Sequence, residues 1–351
     1  MLKLLFICKD RHNYDYGNFT DHGKDKGYGS YGLINSCKLI KECLETLYPG
    51  KIECNVVTVV DNNKIDREVY LYKPTHVFIE ALWVVPKKFY ELIPRYPGVE
   101  WSVRIHSKTP FLSNEGVAFD WINDYLKICK QYPNFHIAAN DLEFTEDMEG
   151  TYNQDFLYLP NLYWGDWKFR LPKKTNDKGH IDVGCFGAIR PMKNQLQQAI
   201  AAVMLANELK KKLKFHMNGR AEQKGEQVLR NIQALMDGSG HELVLHGWHP
   251  HKDFLKLVKT MDVGLQVSFS ESFNIVAADF IIQDVPIVVS EDIRWASHLY
   301  MAETTSAENI KEHMASALRW RSVNLQYLNK LGLKNYNKGA IEAWVKYLLC
   351  E

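Results

Sequence analysis

Residues 261–290, MDVGLQVSFSESFNIVAADFIIQDVPIVVS, leave this chain few folds to choose from. An apolar run at 263–267 passes through a polar turn at 268–272 into Ile275, Val276, Phe280 and Ile281, which recur at helical spacing. Asp284, Val285 and Pro286 end that helix, and 287–289 reads as a second strand. Strand, turn, helix, strand is the repeating unit of a parallel sheet, whose neighbouring strands need a crossover long enough for a helix. The stretch therefore predicts an α/β fold.

The chemistry of this unit lies in its turn. Ser270 or Ser272 is placed to cap the helix, so that the N–H groups of Phe273, Asn274 and Ile275 point outward at the positive end of the helix dipole. Such an end is an anion site. Glu271 stands just ahead of it, and Asp279 follows about two turns down the helix. Two carboxylates so placed suit a ligand with hydroxyls at both ends and phosphate between, the layout of a sugar nucleotide. The same residues read equally well as solvated positions beside a buried helix.

The pattern from Glu271 to Asp279, followed by Val285-Pro286-Ile287-Val288, resembles the E-x7-E signature and following strand of family 4 glycosyltransferases with the GT-B fold. The chain differs at Asp279, where Glu is usual, and at Asp284-Val285, where Gly often precedes the proline. The resemblance implies two Rossmann-like domains facing across a cleft. It implies that Glu271 contacts hydroxyls of the donor sugar and that Asp279 holds the ribose.

The second half carries further loops of this kind. A strand at 181–186 leads through Gly187 to Arg190, Lys193 and Asn194 at the start of a helix at 196–209. A guanidinium and an ammonium within one turn of a helix start fit a diphosphate, one as a fork and one as a point charge. Two solvated surface charges are the plainer alternative. Later strands end at Asn218-Gly219-Arg220 and at His246-Gly247-Trp248. These loops resemble the donor-phosphate loop and the base-lining turns of the same family, which makes Gly187, Asn194, Gly219, Arg220, Gly247, Trp248, Ser272, Phe273, Asn274 and Ile275 the expected donor-binding residues. His246, His249 and His251 surround a proline turn without a completing carboxylate or cysteine, so no metal is expected there.

In the first half, a strand at 2–8 precedes a long polar segment, 9–26, and then Gly27, Gly29 and Gly32 ahead of a helix at 33–47. The glycines match G-x-G-x-x-G. In a dinucleotide site, however, they follow the strand directly and an acidic residue lies about twenty positions on, whereas here Asp61 ends the second strand much further along. Gly29 and Gly32 are better read as letting backbone approach a ligand, or as a plain turn. Strands at 77–79 and 100–105 place Glu80, Trp83, Arg104 and His106 at their carboxyl ends, where ligands gather in open parallel sheets. By resemblance His106 is the residue near the donor sugar, while a satisfied structural histidine is the other reading.

The remaining properties set limits. With 43 basic and 42 acidic residues in 351, no general polyanion surface is implied. Seven scattered cysteines without C-x-x-C read as reduced thiols of a cytoplasmic protein. No apolar run is long enough for a transmembrane helix, and 1–8 reads as a strand rather than a signal.

The expected organisation is an acceptor domain at 1–163, a linker at 164–180, a donor domain at 181–335 and a helix at 336–351 which, by the resemblance, returns to the first domain. The expected function is a retaining, metal-independent glycosyltransferase, moving a sugar from a UDP- or GDP-sugar to an acceptor hydroxyl. Glu271, His106, Arg190 and Lys193 are its catalytic candidates, and Gly29, Gly32 and Glu80 face the acceptor. The acceptor stays open among a glycan, lipid-linked sugar, protein, small molecule or modified DNA base. The alternatives are a catalytically silent nucleotide-sugar-binding protein and an NAD-dependent enzyme.

Overall fold

The computed structural model describes residues 1–10, 31–165, 167, 178–219 and 224–349. Gly29, Arg220, most of the 9–26 segment and much of the expected linker lie outside these residues. The chain divides into two compact units, Met1–Trp164 with Lys338–Glu351, and Gly165–Asn337.

The first unit runs β1 (Leu2–Lys9), α1 (Tyr31–Leu47), β2 (Ile52–Val59), α2 (Ile65–Tyr72), β3 (His76–Glu80), α3 (Phe89–Arg95), β4 (Glu100–Ile105), α4 (Thr109–Leu112), α5 (Ala118–Gln131), β5 (Phe135–Ala139), α6 (Leu142–Tyr152) and β6 (Leu157–Tyr158). Its sheet is wholly parallel, in the order β2-β1-β3-β4-β5-β6. In β1, Leu4 to Cys8 are all fully buried, as expected of a strand covered on both faces. Helix α5 buries Ile122, Tyr125 and Leu126 at helical spacing against that core. The last strand is only two residues long, because Pro160 follows and cannot donate to a ladder.

The second unit runs β7 (His180–Gly184), α7 (Gln195–Glu208), β8 (Lys212–Asn218), α8 (Gly225–Ser239), β9 (Glu242–His246), α9 (His251–Val258), β10 (Val263–Gln266), α10 (Ile275–Ile282), β11 (Ile287–Val289) and α11 (Ala307–Arg321). Its parallel sheet has the order β11-β10-β7-β8-β9. Gly184 and Gly264 are register partners across β7 and β10. A Cβ on Gly264 would stand 2.6 Å from the Phe280 ring, and one on Gly184 would stand 2.8 Å from it. The paired glycines thus give α10 a flat bed, which lets the helix and the turn ahead of it sit tight on the sheet.

Strand order locates the crevice in each unit. The chain steps from β7 to β8 and β9 on one side and returns on the other side with β10, so the direction reverses between β7 and β10. In the first sheet the reversal falls between β1 and β3. Loops leaving the carboxyl ends of strands at such a point diverge and leave room for a ligand.

The final helix, α12 (Tyr327–Leu349), is much longer than the apolar stretch at 341–349 suggests. Its early part is rich in Asn and Lys, and tertiary bonds hold it: Lys330 Nζ donates to Asp284 at 2.5 Å, and Ser297 N–H donates to Asn329 at 2.7 Å. Residues to Asn337 belong to the second unit and those from Lys338 to the first. In the first unit Trp344 is fully buried against the rings of Phe6 and Phe78, and its indole N–H donates to Pro160 O at 2.8 Å.

Candidate functional site

In the second unit the turn after β7 and the turn after β10 meet at the reversal point. Lys193 Nζ lies 2.5 Å from Glu271 Oε1. Phe269 N–H donates to Met192 O at 3.0 Å, and Asn194 Nδ2 donates to Val267 O at 3.1 Å. Gln198 binds both turns, accepting from Val267 N–H at 2.9 Å and donating to Lys193 O at 2.8 Å. The glutamate side chain is 7% exposed and the lysine 24%. The charge pair therefore sits at the edge of solvent, beside backbone and amide hydrogen bonds that join the two turns.

Helix α10 starts differently from the expectation. Its cap is Asn274, whose Oδ1 accepts from Ala277 N–H at 2.9 Å and whose Nδ2 donates to Gln266 Oε1 at 2.8 Å. Ser270 and Ser272 are not the cap. The loop needs a left-handed residue at the entry, and Asn274 takes φ 60, a conformation Asn tolerates far better than Ser does. The turn ahead is pinned as well: Glu271 N–H donates to Asp292 at 2.9 Å, and the Trp295 indole N–H donates to Phe273 O at 2.9 Å. Glu271 is thus held by its own backbone and by Lys193.

The other strand ends of this sheet are laced together. Gly187 sits at φ 113, and its N–H donates to Asn218 Oδ1 at 2.8 Å. Gly219 N–H donates to His246 O at 3.0 Å, and Asn218 Nδ2 donates to Gly247 O at 3.4 Å. Trp248 is half-buried beside them. Arg190 and Asn194 precede α7, with Arg190 N–H on Gln195 Oε1 at 3.2 Å. Asp279 is nearly buried, and His251 Nε2 donates to its Oδ1 at 2.7 Å.

Beneath these loops a polar chain runs through the sheet. His216 Nε2 donates to Asp182 Oδ1 at 3.1 Å, and the facing nitrogens of His216 and His246 are 2.9 Å apart. Burial, with His216 and His249 beside it, pushes His246 down to about 4 and keeps it neutral. Burial alone would raise Asp182, but the His216 bond and Lys178 outweigh it and hold the carboxyl well below its usual range.

The first unit has its own cluster at the carboxyl ends of β1, β3 and β4. A cleft there is lined by Lys9, Glu80, Trp83, His106, Ser107 and Glu115, among others. Glu80 is fully buried; its Oε2 accepts from Arg104 at 2.7 Å and from His106 Nε2 at 2.5 Å. Burial would raise the Glu80 carboxyl, yet Arg104 and His106 keep it low and ionised. Burial, reinforced by Arg104, lowers His106 against the pull of Glu80. The second ring nitrogen, Nδ1, accepts from Asn140 at 3.3 Å.

Arg104 does not reach the cleft, contrary to the strand-end reading. It is fully buried and donates also to Leu159 O at 2.7 Å and to Asn161, tying β4 to the segment after β6. A buried guanidinium with several donors is held by carboxylate and carbonyl oxygens, and here they lie inside the unit. Ala81, next to Glu80, is left-handed at φ 72 with its N–H on Arg104 O. Gly32 lies exposed in the first turn of α1.

Sequence reasoning did not single out His251 as a partner of Asp279, nor Gln198, Asn218, Gln266 and Asp292 as the residues that fix the turns. Only the histidine carried a signal, as part of the group at 246, 249 and 251. Among the described residues no group of three or more His, Cys, Asp and Glu side chains is gathered as a metal would need, and no helix is long and apolar enough to cross a membrane.

Two parallel α/β units, each with its crevice at a strand-order reversal, define a protein of the GT-B fold class. Solved structures with this fold include HepE of Anabaena, determined with UDP and glucose (TM-score 0.63, 12% identity, 99% of this chain and 100% of that one). The N-terminal domain of Candida albicans trehalose-6-phosphate phosphatase is similar (TM-score 0.60, 12% identity, 97% of each chain). So is a UDP-forming α,α-trehalose-phosphate synthase from Burkholderia vietnamiensis (TM-score 0.60, 11% identity, 82% of this chain and 77% of that one). At such identities the likeness is one of fold. No family profile and no curated sequence matches this chain.

Proposed function

We propose that the protein transfers a glycosyl group from a nucleoside-diphosphate sugar to an acceptor hydroxyl, with retention at the anomeric carbon and without a metal. The observation that carries this reading is the meeting of Lys193 and Glu271 at 2.5 Å across the β7 and β10 turns. It puts a cation and a carboxylate at one point, beside the start of α10, where the strand order reverses. The fold shared with a structure solved with UDP and glucose supports the same reading.

In this account Arg190, Lys193 and the α10 N–H groups hold the diphosphate, Glu271 orients sugar hydroxyls, and Asp279 holds the ribose. Gly187, Gly219, Gly247 and Trp248 border the nucleotide. As the bond from the anomeric carbon to the diphosphate breaks, its electron pair moves onto phosphate oxygen. Fixed cations and dipoles stabilise that charge most in the transition state. The acceptor oxygen then bonds to the anomeric carbon and gives up its proton to the departing diphosphate oxygen, which has taken the electron pair of the broken bond.

His106 has both ring nitrogens engaged within the first unit, so its proposed role there is to shape the cleft for a hydroxyl-bearing ligand rather than to take a proton. A catalytically silent nucleotide-sugar-binding role is the second reading. Turnover of labelled UDP- and GDP-sugars, with the anomeric configuration of the product read by NMR, separates the two. Stabilisation by NAD but not by UDP, GDP or ADP would instead favour a nicotinamide enzyme.

A further inference from the structure

We propose that His251 is a positioning residue for ribose recognition: it fixes the Asp279 carboxylate in the orientation that receives a vicinal diol. The inference rests on the nucleotide-sugar reading above. Asp279 lies on α10 and His251 is the first residue of α9, so the two side chains meet between the helices that follow β9 and β10. The bond is short, 2.7 Å, and the carboxylate is 4% exposed against 25% for the imidazole. Asp is one methylene shorter than Glu, so its reach depends more on how the carboxyl plane is set.

One N–H bond from an imidazole sets that plane while leaving a carboxylate acceptor capacity for hydroxyl donors. Setting a catalytic or binding group through a neighbour is what makes it precise. A pair that only fastened α9 to α10 would do nothing to distinguish one nucleotide from another.

Calorimetric titration of UDP, GDP and ADP, and of the 2′,3′-dideoxy form of the tightest binder, tests this on wild type, His251→Ala, His251→Gln and Asp279→Asn. The wild type is expected to prefer the ribose form by tenfold or more, on the order of one hydrogen bond to a charged group. His251→Ala is expected to lose about tenfold for the ribose form and nothing for the dideoxy form. Gln at this position keeps an N–H donor and is expected to restore most of the loss, while Asp279→Asn behaves like the alanine variant.

Equal loss of both forms in His251→Ala would mean a structural pair and would overturn the proposal. So would unchanged binding of both. If the wild type discriminates and His251→Ala discriminates as strongly, this inference alone falls. If the wild type binds none of the three diphosphates, the nucleotide reading falls and takes this one with it.

Discussion

Lys193 Nζ and Glu271 Oε1, 2.5 Å apart, join two turns that are separated in sequence by three strands and three helices. Either side chain alone would be a charge at the end of a strand. Together they compensate each other in a seam only partly open to water.

A double-mutant cycle on Lys193→Met and Glu271→Gln is therefore expected to show coupling of about 1–3 kcal/mol in chemical denaturation. In transfer assays Glu271→Gln is expected to lose about a hundredfold in rate while keeping most of its nucleotide affinity. Arg190→Ala is expected to weaken both. Coupling near zero would mean that the two turns fold independently.

The glycine pair under α10 gives a stability prediction. Gly264→Ala puts a methyl 2.6 Å from the Phe280 ring, and the helix must lift to admit it. Overpacking of this kind costs about 1–3 kcal/mol. The urea midpoint should fall accordingly, and nucleotide affinity should fall with it, because the turn ahead of α10 moves too.

Arg104 is expected to behave as a core residue. Arg104→Met removes the charged partner of the fully buried Glu80 carboxylate and leaves it only the His106 bond, and breaking such a pair from one side costs about 3–5 kcal/mol. Replacing both, as Glu80→Gln with Arg104→Met, is expected to recover part of that loss. A double variant no more stable than Arg104→Met would show that the ion pair is not what the arginine supplies.

The histidine chain predicts an acid sensitivity. His246 lies near 4 in the folded chain against 6.5 ordinarily, because burial first, then His216 and His249, disfavour its charged form. Between these values the unfolded chain binds the extra proton, so stability is full above 6.5 and is lost as pH falls toward 4. For a half-buried group the loss is about 1–2 kcal/mol after allowing for solvent screening. His246→Gln should reduce the slope of unfolding free energy across that window, most clearly in its upper part, above the range where most carboxylates titrate.

Much of this was legible in the sequence because it is periodic. The unit at 261–290 announces strand and helix by spacing alone, and Gly187, Arg190 and Lys193 stand out where a strand meets a helix. The cap was misread because Ser270 and Ser272 have the right chemistry for an ordinary N-cap, while the loop demands a left-handed entry that only the fold reveals. Arg104 was misplaced because a strand end does not say whether a long side chain turns outward or inward. The early part of α12 escaped notice because its helical state depends on partners such as Asp284 and Ser297, far away in sequence. His251 and Asp279 come together for a similar reason: their contact is set by how α9 and α10 pack.

Titration calorimetry of UDP and GDP against wild type and the Arg190→Ala, Lys193→Ala double variant is the most direct test. The account predicts that at least one of these diphosphates binds the wild type and that the double variant loses about a hundredfold or more in affinity, the worth of two charge-assisted bonds. Binding of neither nucleotide, or an affinity that survives the loss of both cations, would contradict it.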